Sequence, residues 1–128
     1  MAQLKGILHV NLTIAPGPEA LAEARRFYVD VLGCKELYRP PETDNGRPGY
    51  WLDCGSGQQI HISAEQDASS YNGPSGRHAA FQVENLEELK AHLLRAGASV
   101  EDGMQFPNMR RCFARDPWGN RLELVQLG

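Results

Sequence analysis

Cysteine is scarce in this chain: only Cys34, Cys54 and Cys112 occur. The count is odd and no two stand in CxxC spacing, which argues against a disulfide framework and a zinc ribbon. The thiols are expected to be free packing residues in a reducing, cytoplasmic compartment. Basic excess is also lacking. Lysine plus arginine number 13 against 16 acidic residues, a net charge of −3, so no nucleic-acid partner is expected. No apolar run approaches the roughly 18 residues of a membrane span. The opening Met1-Ala2-Gln3-Leu4-Lys5-Gly6 lacks the layout of a signal peptide, and no membrane partner is expected. What is present is a globular composition, 41% hydrophobic and 23% charged over 128 residues. That suits a single domain over residues 1–128 that needs neither crosslink nor metal merely to fold.

Residues 9–14 alternate Val10, Leu12 and Ile14 with His9, Asn11 and Thr13, which predicts a strand with one apolar and one polar face. After Ala15-Pro16-Gly17-Pro18, the spacing of Leu21, Ala24, Phe27, Tyr28, Val31 and Leu32 predicts a helix over 19–32, stopped by Gly33. Strands are expected near 36–39, 50–54 and 58–64, with a loop over 40–49. A linker or surface loop is expected over 65–77. The pattern then restarts. A strand is expected over 78–83, with Ala79, Phe81 and Val83 on its apolar face. A helix follows, capped by Asn85 and Glu88 and striped by Leu86, Leu89, Leu93 and Leu94 up to Gly97. Further strands are expected near 99–101, 111–115 and 121–126.

Both halves therefore read strand, helix, three strands. Gly57-Gln58-Gln59-Ile60-His61-Ile62 aligns with Gly119-Asn120-Arg121-Leu122-Glu123-Leu124, and Trp51 with Phe113, at an offset of 62. Gly33 aligns with Gly97, and His9 with His78. This is a two-copy duplication, with modules over 4–66 and 76–127, and no solenoid. An apolar strand face covered by a helix in each half leaves two polar faces. Placed edge to edge, these would line a cup. His9, His61, His78 and Glu123 all fall on those polar faces, each on its own strand. Imidazole nitrogen and carboxylate oxygen suit a divalent cation such as Zn, Ni, Fe, Co or Mn. Gln59 or Gln82 is a candidate outer partner for a ligating histidine. The remaining histidine, His92, is expected at the surface of the second helix.

These residues resemble the vicinal oxygen chelate superfamily, which includes glyoxalase I, fosfomycin-resistance enzymes, extradiol dioxygenases and bleomycin-resistance proteins. The likeness rests on the opening His9 strand, on Phe27-Tyr28-Val29-Asp30-Val31-Leu32-Gly33, on Arg77-His78-Ala79-Ala80-Phe81 and on Asp116-Pro117-Trp118-Gly119-Asn120-Arg121-Leu122-Glu123. It implies an α+β fold of paired βαβββ modules, a cup-shaped mixed β-sheet with helices on the outer face. It also implies a metal site at His9, His61, His78 and Glu123. His61 stands where glyoxalase I has a glutamate, which points away from glutathione-hemithioacetal isomerisation. The fosfomycin enzymes match at three of the four positions and leave His61 unexplained.

The leading expectation is a metal-dependent Lewis-acid lyase or isomerase that chelates two neighbouring oxygens of a small substrate. Glu123 would be both ligand and catalytic base. Trp51, Phe113, Arg110 and Arg111 are candidate substrate contacts, the arginines for an anionic substrate. The alternatives are an Fe- or Mn-dependent ring-cleaving-type dioxygenase and a non-enzymatic small-molecule-binding protein. A symmetric homodimer is expected, with each site drawing His9 and His61 from one chain and His78 and Glu123 from the other.

Overall fold

The computed structural model describes residues 2–128. Its strands form two four-stranded sheets. The first holds β1 (His9–Ile14), β2 (Lys35–Leu37), β3 (Gly49–Gly55) and β4 (Gln58–Ala64) in the order β1-β4-β3-β2. The second holds β5 (His78–Gln82), β6 (Ser99–Asp102), β7 (Met109–Arg115) and β8 (Arg121–Leu127) in the order β5-β8-β7-β6. In each sheet the first and last strands pair parallel and the rest antiparallel. The fold is α+β, and the sheets remain separate, with the outer edges of β1 and β5 unpaired.

The duplication extends to register. His9 lies opposite Gln59 and Asn11 opposite His61; correspondingly, His78 lies opposite Arg121 and Ala80 opposite Glu123. Trp51 pairs with His61 as Phe113 pairs with Glu123. Period-two alternation then sends the intervening residues inward. Leu12, Ile14, Leu52, Ile60 and Ile62 of the first sheet and Cys112, Ala114, Leu122 and Leu124 of the second are buried. All belong to one core shared by both halves.

Helices cover that apolar side. α1 (Pro18–Arg25) runs into a π-helical turn, Arg26–Val31, where an ordinary helix was expected to continue to residue 32. The wider turn, closed by a Leu32 N–H bond to the Phe27 carbonyl, places adjacent Phe27 and Tyr28 both inside. α3 (Leu86–Arg95) has the expected cap, with Asn85 accepting from the Glu88 N–H at 3.1 Å. Its Leu93 is wholly buried, while Leu94 is exposed. Among the described residues no helix is long and apolar enough to cross a membrane.

The segment expected as a linker is more structured than its composition suggested. It contains α2 (Ala68–Asn72), with Ala68 buried. Asn72 Nδ2 donates to the Thr13 carbonyl at 3.1 Å, and Arg115 donates to the Asn72, Ser75 and Gly119 carbonyls. Gly119 sits at φ +85°, and a Cβ there would meet the Gly73 backbone at 2.9 Å, so the turn and the linker pack through glycine. Asp116 joins the halves. It accepts from Tyr28 Oη at 2.6 Å and from Asn120 Nδ2 at 2.7 Å, and Asn120 also donates to the Thr13 carbonyl. Burial raises Asp116 from the ordinary carboxylate value despite these bonds; burial, followed by the Asp116 charge, holds Tyr28 well above the ordinary phenol value.

Candidate functional site

The polar sheet faces carry two donor pairs, one per half. In the first, the rings of His9 and His61 stack with centroids 3.7 Å apart, and Trp51 stacks on His61 at 4.4 Å. Both contacts follow from the ladder: Trp51 is directly opposite His61 on β3, and His9 is diagonal to it on β1. Gln59 Oε1 lies 2.8 Å from His61 Nε2, so the candidate outer partner does touch that histidine. Gln82, the other candidate, is exposed on β5 and makes no side-chain hydrogen bond in the described residues. Burial, then the charges of His9 and Arg39, lowers the His61 proton affinity below the ordinary imidazole value. That favours the neutral ring, the form with a free lone pair.

In the second half His78 Nε2 lies 3.0 Å from Glu123 Oε1, and Arg111 Nη1 donates to Glu123 Oε2 at 3.2 Å. The carboxylate is nearly buried, its side chain 11% exposed. The His78 ring meets the edge of Phe113 at 5.3 Å. Its Nδ1 lies 2.9 Å from the Gly76 carbonyl, with Arg121 Nη1 at 3.5 Å. Both ring nitrogens thus face oxygen acceptors, and a neutral imidazole can donate to only one. A cation in place of the Nε2 proton would satisfy nitrogen and carboxylate together, so this pair fits a divalent metal by donor chemistry and placement.

The structure brings His9 to His61 and His78 to Glu123, but it does not bring the two pairs together. Among the described residues no group of three or more His, Cys, Asp or Glu side chains is gathered closely enough to hold a metal ion. Trp51, Phe113 and Arg111 border the donor pairs. Arg110 does not. It alternates onto the face of Cys112 and Ala114, opposite Arg111 and Phe113, because successive strand residues point to opposite sides. His92 lies on α3, 3.9 Å from Glu88 and away from the donor pairs.

Two contributors were not singled out from the sequence. Arg39 reaches the Thr43 and Arg47 carbonyls while its buried Nε has no partner, and its charge acts on His61. Arg121 shares the face of Glu123, with its guanidinium 3.9 Å over the Phe113 ring. Its i, i+2 spacing from Glu123 was the available signal; Arg39 lay in a loop and offered none.

The sequence pattern of the Glyoxalase/Bleomycin resistance protein/Dioxygenase superfamily matches residues 7–124. The chain belongs to this superfamily. A crystal structure assigned to the glyoxalase family, from Bacillus anthracis, is similar over 100% of this chain and 99% of that one, at 34% identity and a TM-score of 0.83. Two others share the fold at lower identity. The E126Q mutant of the fosfomycin resistance protein FosX from Listeria monocytogenes, complexed with Mn(II) and 1S,2S-dihydroxypropylphosphonic acid, is 16% identical with a TM-score of 0.78. It matches over 98% of this chain and 95% of that one. TnmS3, an antibiotic binding protein from Streptomyces sp. CB03234, is 18% identical over 100% of both chains with a TM-score of 0.68. No curated protein matches.

Proposed function

We propose that this protein is a metal-dependent Lewis-acid lyase or isomerase acting on a small substrate that offers two neighbouring oxygens. The observation that carries the reading is the His78–Glu123 pair, with one carboxylate oxygen turned to the histidine and the other held by Arg111. His9 and His61 complete the donor set. A bound divalent cation supplies electrostatic stabilisation to negative charge developing on the substrate oxygens. Glu123 would take the substrate proton and return it at the neighbouring position, while Arg111 on Oε2 fixes the plane of the carboxylate. Trp51 and Phe113 border the substrate and limit water. The compartment is the cytoplasm, and one domain spans residues 1–128.

The functional unit in this proposal is a two-fold dimer. Each site takes His9 and His61 from one chain and His78 and Glu123 from its partner. Separation of the pairs within one chain supports this, as do the unpaired edges of β1 and β5. Leu4, Ile7 and Leu8, 96%, 78% and 81% exposed ahead of β1, provide apolar surface for a partner to cover.

Metal analysis of the gently purified protein tests the reading, with about one ion per chain expected, the full occupancy of a single site. Nickel, zinc or cobalt without oxygen consumption supports it. Iron with oxygen-dependent turnover selects the dioxygenase alternative, and absence of bound metal selects the binding-only alternative suggested by the likeness to an antibiotic binding protein. Mixing His9→Ala chains with Glu123→Ala chains tests the shared site. The heterodimer then collects both lesions in one site and leaves the other intact, so metal binding returns. Heterodimers without recovery would place each site within one chain.

A further inference from the structure

The arginine at position 121 has no task in the fold comparable to that of its counterpart. In the first half the equivalent residue, Gln59, is committed to His61 at 2.8 Å. Arg121 has only 3.5 Å approaches to the Gly76 carbonyl and to His78 Nδ1. No carboxylate among the described residues lies in ion-pair range of it, because Glu123 is taken by Arg111 and His78. Five N–H donors are thus largely uncommitted, while stacking on Phe113 fixes the guanidinium plane. Arg121 borders a groove of about 550 Å³ between β1 and β5, together with Asn11, Arg77, His78 and Asn120. Arg77 is exposed, and its side chain bonds only Ser75 Oγ. The one carboxylate of the groove, Glu65, is paired with Arg47 at 3.2 Å. A chain of net charge −3 therefore presents two unpaired cations in a ligand-sized groove beside His78.

We infer that the substrate carries an oxyanion, a carboxylate or a phosphonate, and that Arg121, assisted by Arg77, receives it in the groove between β1 and β5. This deepens the proposed function and rests on it for the identity of the ligand as substrate. The fork of Arg121 suits two parallel hydrogen bonds to either anion. An anion held there sits next to His78, which lines the same groove.

Calorimetric titration with methylphosphonate, with acetate and with uncharged acetamide tests the inference, on protein as purified and after chelator treatment. Wild type is expected to bind at least one anion and not acetamide, and the preferred anion identifies the source. Arg121→Gln is expected to weaken anion binding by at least about tenfold, the loss typical of a hydrogen bond to a charged group. Metal content is expected to stay unchanged, and Arg121→Lys to retain part of the affinity. Arg77→Gln, on an exposed side chain, is expected to weaken binding in the same direction, and it decides the matter should Arg121→Gln fail to fold. Unchanged anion affinity in these variants, or no anion binding by wild type, overturns the inference. Arg121-dependent anion binding in a protein that holds no metal would retire the metal reading and keep the anion subsite.

Discussion

The two halves share a ladder but not its chemistry. At paired positions the first half places Trp51, His61 and Gln59 where the second places Phe113, Glu123 and Arg121. The first centre is a stack of three neutral-capable rings with an amide at its edge. The second is a buried carboxylate between a histidine and an arginine. One substitution in the strand scaffold accounts for much of the contrast. Arg111, which holds Glu123, stands where the first half has Gly49, and a Cβ at Gly49 would collide with the Ile62 carbonyl. Close approach of β3 and β4 therefore excludes any side chain there, and the first half has no counterpart to the Arg111 clamp. A duplication can preserve donor positions while dividing labour, with neutral donors in one copy and charge in the other.

The largest expected effect tests that division. Glu123→Gln removes the sole anionic donor and is expected to lower metal affinity by more than the roughly 10–100-fold typical of outer-partner losses. His61→Gln is expected to cost less, since three donors including the carboxylate remain. Metal content by elemental analysis checks both, and equal losses would erase the contrast. Next in size is the core. Leu93→Ala is expected to cost about 2–5 kcal/mol in denaturant melts, because Leu93 is fully buried in the core that both halves share. A loss below about 1 kcal/mol, under the range for buried leucines, would contradict that burial.

Paired glycines sharpen the comparison further. Gly57 and Gly119 adopt nearly the same backbone, φ +84° and +85°, but only Gly119 is crowded by Gly73. Gly57→Ala is expected to cost about 1–2 kcal/mol of left-handed strain. Gly119→Ala carries the same strain plus displacement of the linker, so its thermal melt should fall further. Equal shifts would mean that the linker yields freely. The smallest effect belongs to Cys34, a first-half thiol that burial pushes up from 9.0 to about 12. Its folded value is raised, so its contribution is present below pH 9.0, the unfolded value, and fades as pH climbs toward 12. Cys34→Ala is expected to flatten the loss of stability across that alkaline window, as read by melts at stepped pH.

Much of the fold was legible in the residues. Alternation around Ile60 and Ile62 marked β4 at its observed bounds, and the Asn85–Glu88 cap marked the start of α3. These signals are local, since strand parity and caps depend on neighbours within a few positions. The π-helical turn was not legible. Leu21 to Leu32 keep a stripe compatible with an ordinary helix, and the wider turn comes with burial of both Phe27 and Tyr28, the latter bonded to Asp116. The linker misled for the same reason: Ser69, Ser70, Asn72 and Gly73 read as loop by composition, yet contacts to Thr13, Arg115 and Gly119 order them.

By itself the sequence determined the duplication, the strand parity that sets His9, His61, His78 and Glu123 on polar faces, and the family to which the chain belongs. Arg110 and Arg111 were both expected at the substrate; adjacent strand residues face opposite ways, and the structure leaves only Arg111 beside Glu123. Only the tertiary structure decided which donors meet. His61 found His9 and Trp51, while Glu123 found His78 and Arg111, because those partners come from other strands whose pairing order no local signal encodes; Gln59, on the same strand as His61, was within reach of local spacing. The same long-range placement left Arg121 beside a groove whose one carboxylate, Glu65, is paired with Arg47, a relation that depends on where the other charges of the chain lie.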